Sequence, residues 1–422
     1  MMFIWGGIKM EKTKIKPAPI APAERILSLD VLRGFAVLGI LIMNIQSFSM
    51  IQAAYINPTA YGDLSGWNKW VWILSHIFAS EKFMTLFSIM FGAGIVLLTQ
   101  RIESKSLKSA GVHYRRSLWL LVIALVHAYC FWYGDILFVY SLSALLVYLF
   151  RKASPRKLLI AGLIVISVAS LIYIFFGWSI PYWPPEALQQ NMMTWKPGAE
   201  AVAKEIAAYQ GNWLDQMSFR VPASIFHETF LIFFYYGWRV VGLMLIGMAF
   251  FKWGILSAQR SRRFYIWAMV SGFGIGLPIV ISGVMRNFAA DWALEFSMFF
   301  GWQFNYWGSL LVAFGYIGAV MFFCQSGLLS WLMRLLANVG RMALSNYLIQ
   351  TLICTILFYG HGFGLYGRVE RTGQSMIIVS IWIFQIIFSW LWMRSFRFGP
   401  AEWLWRSLTY KKIQPLRYAK DN

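Results

Sequence analysis

The chain has 422 residues, of which 59% are hydrophobic and 13% charged, and its formal net charge is +20. A soluble domain carries about a quarter charged residues, so this composition excludes an ordinary soluble enzyme. It also argues against nucleic acid as a partner, because the basic excess is what the cytoplasmic loops of a polytopic membrane protein need, facing anionic lipid.

The N-terminal arm, 1–26, carries Lys9, Lys12, Lys14, Lys16 and Arg25, with a proline-punctuated extended stretch at 17–22. The segment before Lys9 is too short for a signal-peptide core, Met10 can serve as a start, and the first apolar run is expected to act as an uncleaved insertion signal. Ten apolar runs follow, at 29–49, 83–99, 118–133, 136–150, 158–180, 226–251, 264–285, 296–324, 343–359 and 376–393. A span needs about 20 mostly apolar residues. The connections alternate in Lys and Arg. One set holds Arg101 to Arg116, Arg151 to Lys157, Lys252 to Arg263, Arg334 with Arg341, and the basic tail 396–422. The other set is poor in both. The positive-inside rule then predicts an all-α bundle of ten transmembrane helices over 27–395, with both termini cytoplasmic, in the cytoplasmic membrane of a bacterium.

Two outer connections stand out. The stretch 67–78 mixes Trp, Ile and Leu with Asn, Lys and His, which predicts a helix lying in the interface. The insertion 181–222 is the one long hydrophilic segment, and its Trp183, Trp195 and Trp213 are either interfacial anchors or a sugar- or lipid-facing surface. Cys130, Cys324 and Cys354 show no ligand spacing, so no metal site and no disulfide framework are expected. No internal repeat is evident.

Charge inside a span is costly and normally faces a polar interior, which makes a short roster of polar groups informative. Asp30 and Arg33 share a helix face, either as a helix-start ion pair or as a phosphate-binding end. Asn44 and Gln46 lie about three turns further on. His127 and Asp135 bracket a tight outer turn. They form either a carboxylate-oriented general base or a helix cap beside a structural histidine. His76, with Glu81 and Lys82, sits on the same outer side. Arg239 lies mid-way along 226–251, too far from either end to snorkel, so it must face protein or water, with Asp135, Asn44 and Glu228 as its expected partners. Ser345, Asn346, Gln350 and Thr351 predict an inward-facing stripe on the ninth run.

Several strings resemble a known family: LDVLRGFAVLGI at 29–40, KF at 82–83 with LFSIMFG at 86–92, His127 with GDIL at 134–137, GRMALSNY at 340–347 and GPAEWLWR at 399–406. They are similar to the YeiB-like bacterial membrane proteins, whose C-terminal half, here about 226–410, is domain of unknown function 418. The first-span motif more distantly resembles two sets of transmembrane acyltransferases, the bacterial sugar O-acetyltransferases and heparan-alpha-glucosaminide N-acetyltransferase. The first set has a His eleven residues after the motif's Arg, where this chain has Asn44, as the glucosaminide enzyme does. The second places its His before a Trp-Asn pair. This chain keeps Trp67 and Asn68 but has Asp63 and Leu64 near the His position. His127 and His76 therefore stand in by position only.

The resemblance implies a transmembrane acyltransferase using cytoplasmic acyl-CoA as co-substrate, with no tightly bound cofactor, and an outer-face hydroxyl or amine as acceptor. In that reading Arg33, Arg115, Arg116 and Arg341 hold the CoA phosphates. Arg239, Asn44, Asn346 and Gln350 line the substrate path, and His127, oriented by Asp135, supplies the base, with His76 the other catalytic candidate. The alternatives are a transporter or export factor for a lipid-like or small organic solute, and a non-catalytic partner subunit.

Overall fold

The computed structural model describes residues 25–418; the basic arm with Lys9 to Lys16, the 17–22 stretch and Lys420 lie outside it. Within those residues the chain is helical, and the one β feature is an isolated bridge between Phe396 and Arg417. Backbone groups in lipid must be satisfied internally, and helices do this without a partner. Each of the ten apolar runs is accordingly helical. In chain order the helices are α1 (Leu27–Ser49), α2 (Gln52–Ile56), α3 (Gly66–Phe78), α4 (Lys82–Glu103), α5 (Ala110–Cys130) and α6 (Leu137–Val147). Then come α7 (Pro155–Ser179), α8 (Pro185–Trp195), α9 (Ala199–Gln210), α10 (Met217–Phe226), α11 (Gly237–Lys252) and α12 (Arg262–Ala289). The chain closes with α13 (Leu294–Phe296), α14 (Trp302–Ser326), α15 (Ser330–Arg341), α16 (Ala343–Phe358), α17 (Arg371–Ser395) and α18 (Pro400–Tyr410).

Seven helical stretches are long and apolar enough to cross a membrane, and α15 with α16, bent by 78° between them, makes an eighth if taken as one span. The protein is a multi-pass helical membrane protein. Among the runs outside that set, α6 with its 3-10 extension reaches only from Leu137 to Phe150, and α5 carries Arg115 and Arg116. These two helices form an antiparallel hairpin. His113 near the start of α5 meets the Ala144 carbonyl late in α6, and His127 near its end meets Asp135 just before α6.

The helix expected at 67–78 forms as α3 (Gly66–Phe78). α3 runs on into α4 as one 38-residue apolar stretch, Gly66–Glu103. Together the two helices are far longer than the roughly 20 residues that a hydrocarbon core of about 30 Å requires. The junction is Glu81, whose backbone is left-handed (φ 67°), a conformation unfavourable for a side chain other than glycine.

Close helix crossings rely on missing side chains. A Cβ on Gly34 of α1 would overlap the Leu336 carbonyl of α15, and a Cβ on Gly340 of α15 would overlap the Asp30 carbonyl of α1. Gly92 and Gly247 do the same for α4 against α11. The glycines of LDVLRG and GRMALSNY are thus two sides of one crossing.

One end of the bundle is basic. There Arg115 Nε donates to the Thr409 carbonyl (3.0 Å), the Trp405 indole donates to the Arg116 carbonyl (2.8 Å), and Arg341 donates to the Tyr418 hydroxyl (2.8 Å). The insertion, with α8, α9 and α10, packs on the opposite end. Its tryptophans are mostly internal ties. Trp195 is buried and donates to the Trp292 carbonyl, Trp183 donates to Ser179 Oγ, and Trp213 donates to the Cys130 carbonyl.

Glu205 of α9 pins this insertion to the membrane domain. Its carboxylate accepts from the Gln52 amide at 2.9 Å and from the Tyr366 hydroxyl at 2.8 Å, while burial pushes the carboxyl above its ordinary range. A raised folded-state pKa adds stability below the unfolded carboxyl value of about 4.3, and that stability is lost as pH rises through the raised value. Melting temperatures of the wild type and Glu205→Gln across acid to neutral pH should therefore show the wild type losing stability relative to the variant as pH rises. A gap moving the other way would contradict this placement.

Candidate functional site

A cavity of about 220 Å³ opens at the basic end. Five arginines ring its outer part: Arg25, Arg33, Arg116, Arg341 and Arg406. Three separated sequence motifs supply three of them, Arg33, Arg341 and Arg406. From LDVLRG, Arg33 is held by Asp30 at 2.8 Å, with Arg25 at 3.8 Å from the same carboxylate. From GRMALSNY comes Arg341. From GPAEWLWR, Trp405 stacks under the Arg116 guanidinium at 4.4 Å, and Arg406 lies one residue on.

Glu402 of the same motif is buried and accepts from the Leu344 amide (2.6 Å), the Ser345 amide (3.2 Å) and the Ser345 hydroxyl. It thereby caps the N-terminus of α16 from another helix, meeting donors that have no intrahelical partner. Among the described lining residues the acids are Asp30 and Glu402, so positive charge predominates. Burial, and next the neighbouring Arg341, pull Arg25 down to about 10, which leaves it charged at neutral pH. Arg115 does not line the cavity, which corrects its expected phosphate role: its guanidinium is turned to the Thr409 carbonyl.

Deeper in, the lining becomes apolar and aromatic, with Phe87, Met90, Phe91, Ile136, Tyr140 and Tyr347. A second, smaller cavity of about 60 Å³ holds Asn44, Tyr55, Glu81, Gly134 and Tyr236. Ile40 and Ile136 line both cavities, so only a thin wall separates them.

The pair read from the sequence lines neither cavity and adjoins that wall through Ile136, next to Asp135. His127 Nδ1 is 2.7 Å from Asp135 Oδ2, and both side chains are almost fully buried, at 2% and 1% exposure. His127 Nε2 is 2.9 Å from the Thr351 hydroxyl. Asp135 Oδ1 also accepts from the Phe138 amide at 2.7 Å. The same carboxylate therefore holds the imidazole and caps α6. The Tyr347 ring, which lines the large cavity, sits 5.1 Å from the imidazole.

Other expected positions are corrected. Arg239 is fully buried and pairs with Glu81 at 3.0 Å; none of Asp135, Asn44 and Glu228 is its partner. It also donates to Thr85 Oγ1 (3.2 Å), Ser309 Oγ (2.7 Å) and the Tyr306 carbonyl (3.1 Å), and lies over the Tyr306 ring. A guanidinium so occupied is a structural anchor. Asn346 donates to the Val339 carbonyl and Ser389 Oγ, and Gln350 donates to the Val37 carbonyl and Gln385 Oε1. These amides lace α1, α16 and α17 together and line neither cavity. His76 is half-buried and stacks on Trp72 at 4.9 Å, while its carbonyl accepts from Lys82. That sets it apart from the His127 pair. Of the substrate group, Asn44 alone faces a cavity.

Arg25, Arg406 and Thr351 had no site role in the sequence reading. For Arg406 the signal was its place in GPAEWLWR; for the other two it lay in tertiary packing.

The architecture defines a multi-pass helical membrane protein with an arginine-rimmed amphipathic cavity that leads toward a buried Asp–His pair. The chain belongs to the YeiB-like family. The family described as Protein of unknown function (DUF418) matches residues 250–412. The chain is 32% identical to "Uncharacterized protein YeiB" of Escherichia coli (strain K12) over 93% of its own length and 98% of that protein. It is 31% identical to "Uncharacterized protein YxaH" of Bacillus subtilis (strain 168), over 94% and 97% of the two chains. A third relative, "Uncharacterized 39.9 kDa protein in amylase 3'region" of Bacillus acidopullulyticus, is 26% identical over 96% of this chain and 99% of its own. No solved structure matches the chain.

Proposed function

We propose that the protein is a transmembrane acyltransferase that moves an acyl group from cytoplasmic acyl-CoA to a hydroxyl or amine acceptor on the outer face of a bacterial cytoplasmic membrane. The observation that carries this reading is the large cavity, charged at its basic end and apolar at depth, whose lining includes Ile136 and Tyr347, the neighbours of the His127–Asp135 pair, which itself lines neither cavity. An acyl-CoA has that polarity, with phosphates at one end and a thioester with its acyl chain at the other. Arginine presents a planar fork to phosphate, and Arg25, Arg33, Arg116, Arg341 and Arg406 take that role. The smaller cavity, with Asn44 and Glu81, receives the acceptor from the other side. Asp135 holds the imidazole by Nδ1, leaving Nε2 to accept a proton, and stabilises the charged ring as it forms.

The reading uses the ten-span topology with both termini cytoplasmic, supported by the antiparallel α5–α6 hairpin and by the arginines gathered at one end. Single-cysteine variants at Ser106 and Gln189 should then label from opposite sides of the membrane; labelling from one side would defeat the topology.

The activity is tested with the purified protein in proteoliposomes. Radiolabelled acetyl-CoA and octanoyl-CoA are offered with glycerol or glucosamine as acceptors, and release of CoA thiol and labelled product are followed. Acyl-CoA-dependent product is expected, and Arg116→Ala with Arg406→Ala should weaken CoA binding about tenfold or more, since hydrogen bonds to charged groups contribute about 1.5–3 kcal/mol each. A protein that binds no acyl-CoA and instead passes a solute across the vesicle would replace this reading with transport.

A further inference from the structure

Thr351 completes a linear arrangement with the Asp–His pair. Asp135 Oδ2 to His127 Nδ1 is 2.7 Å, and His127 Nε2 to Thr351 Oγ1 is 2.9 Å. The three groups come from α16, from α5 and from the turn ahead of α6, and each is 2% exposed or less as a side chain or residue. With Nδ1–H directed at the carboxylate, Nε2 is the acceptor and the threonine hydroxyl is its donor. The alternative acceptor for that hydroxyl, the Tyr347 carbonyl one turn back, is further away at 3.4 Å. An imidazole that receives a hydroxyl proton while a carboxylate holds its other nitrogen is the arrangement that activates an alcohol as a nucleophile. A base serving only the acceptor would have Nε2 blocked by Thr351.

We propose that Thr351 carries the acyl group as an oxyester between the two half-reactions; this rests on the acyltransferase reading above. In the first half, Thr351 Oγ1 attacks the thioester carbonyl as its proton passes to His127 Nε2. The C–S bond breaks, and the CoA thiolate takes that proton and leaves as the thiol. In the second half, His127 takes a proton from the acceptor hydroxyl or amine, which attacks the ester carbonyl. The threonine alkoxide leaves and is reprotonated by the imidazolium. No oxidant or further reactant is needed. The position suits a handover across the wall, since Tyr347, one turn before Thr351, lines the large cavity, and Ile136, next to Asp135, lines both.

The full-length protein in nanodiscs is incubated with radiolabelled acetyl-CoA and octanoyl-CoA without acceptor. The expected result is a stoichiometric burst of CoA thiol and a label mapping to the Thr351 peptide, stable to neutral hydroxylamine and released by alkaline hydroxylamine. Thr351→Ser should retain both. Thr351→Val should lose the label and lower transfer roughly 100-fold or more while keeping CoA binding and a monodisperse elution profile. His127→Ala should lose the label too. Transfer near the wild-type rate in Thr351→Val overturns the proposal and leaves the acyltransferase reading standing, as does a label on His127 released by neutral hydroxylamine. Wild-type transfer with sequential kinetics and no trapped adduct overturns it as well. Absence of any acyl-CoA turnover by the wild type removes the acyltransferase reading and this proposal together.

Discussion

His127→Ala should lower acyl transfer by about 10³-fold, within the range of about 10²–10⁴ that a positioned acid–base group supplies, while membrane insertion and CoA binding persist. The imidazole is almost fully buried between two fixed partners, Asp135 at 2.7 Å and Thr351 at 2.9 Å, so no other residue takes over its position. Removing it leaves the arginine ring untouched, because Arg33, Arg116, Arg341 and Arg406 are held by Asp30, Trp405 and the basic-end helices. The expected signature is therefore a fall in kcat with little change in acyl-CoA affinity. Asp135→Asn should fall nearly as far. Its amide can still accept from the Phe138 amide and keep the cap, but its NH₂ presents a donor to Nδ1, moving the ring proton to Nε2, where it cannot act as a base. His76→Ala should have little effect, since that ring stacks on Trp72. Rates from proteoliposomes with labelled acyl-CoA decide the matter, and full activity of His127→Ala would eliminate it as the base.

Glu81→Ala should be the most destabilising substitution among the polar groups, by about 3–5 kcal/mol, the cost of leaving one partner of a buried ion pair uncompensated. Arg239 is fully buried with Glu81 as its carboxylate, and the buried Lys82 side chain lies next in sequence, donating to Asn305 Oδ1 at 2.6 Å and to the His76 carbonyl. Removing Glu81 leaves the buried Arg239 guanidinium with only neutral acceptors. The double variant Glu81→Ala with Arg239→Met removes both charges of the pair and should recover much of the loss, since an apolar replacement of a buried ion pair is often nearly neutral. Melting temperatures in detergent across the four proteins of the cycle test this. A double variant as unstable as Glu81→Ala alone would show that Arg239 is held by Thr85, Ser309 and Tyr306 independently of Glu81.

The sequence by itself determined the class of protein. Apolar runs long enough to cross a bilayer must form helices because lipid offers the backbone no partners, and each run is helical here. The His127–Asp135 contact was legible too, because the residues are only eight apart and a tight turn between antiparallel helices brings them together. The family motifs were legible as strings, and their convergence at the basic end was not. Glu402 caps α16 from 57 and 58 positions away, Thr351 reaches His127 across 224, and Arg239 finds Glu81 at the junction of α3 and α4. Asn346 and Gln350 faced inward as their density implied, yet which helices they met decided that they brace the bundle and do not line a cavity. An apolar run states that a helix forms, and a polar residue on it states that one face must turn from lipid. Which neighbour that face meets depends on helix crossings such as Gly34 against Gly340, where packing of distant segments sets the rotation of each helix about its axis. That rotation was decided by the tertiary structure alone, and it is what made one buried arginine an anchor and five others the rim of a cavity.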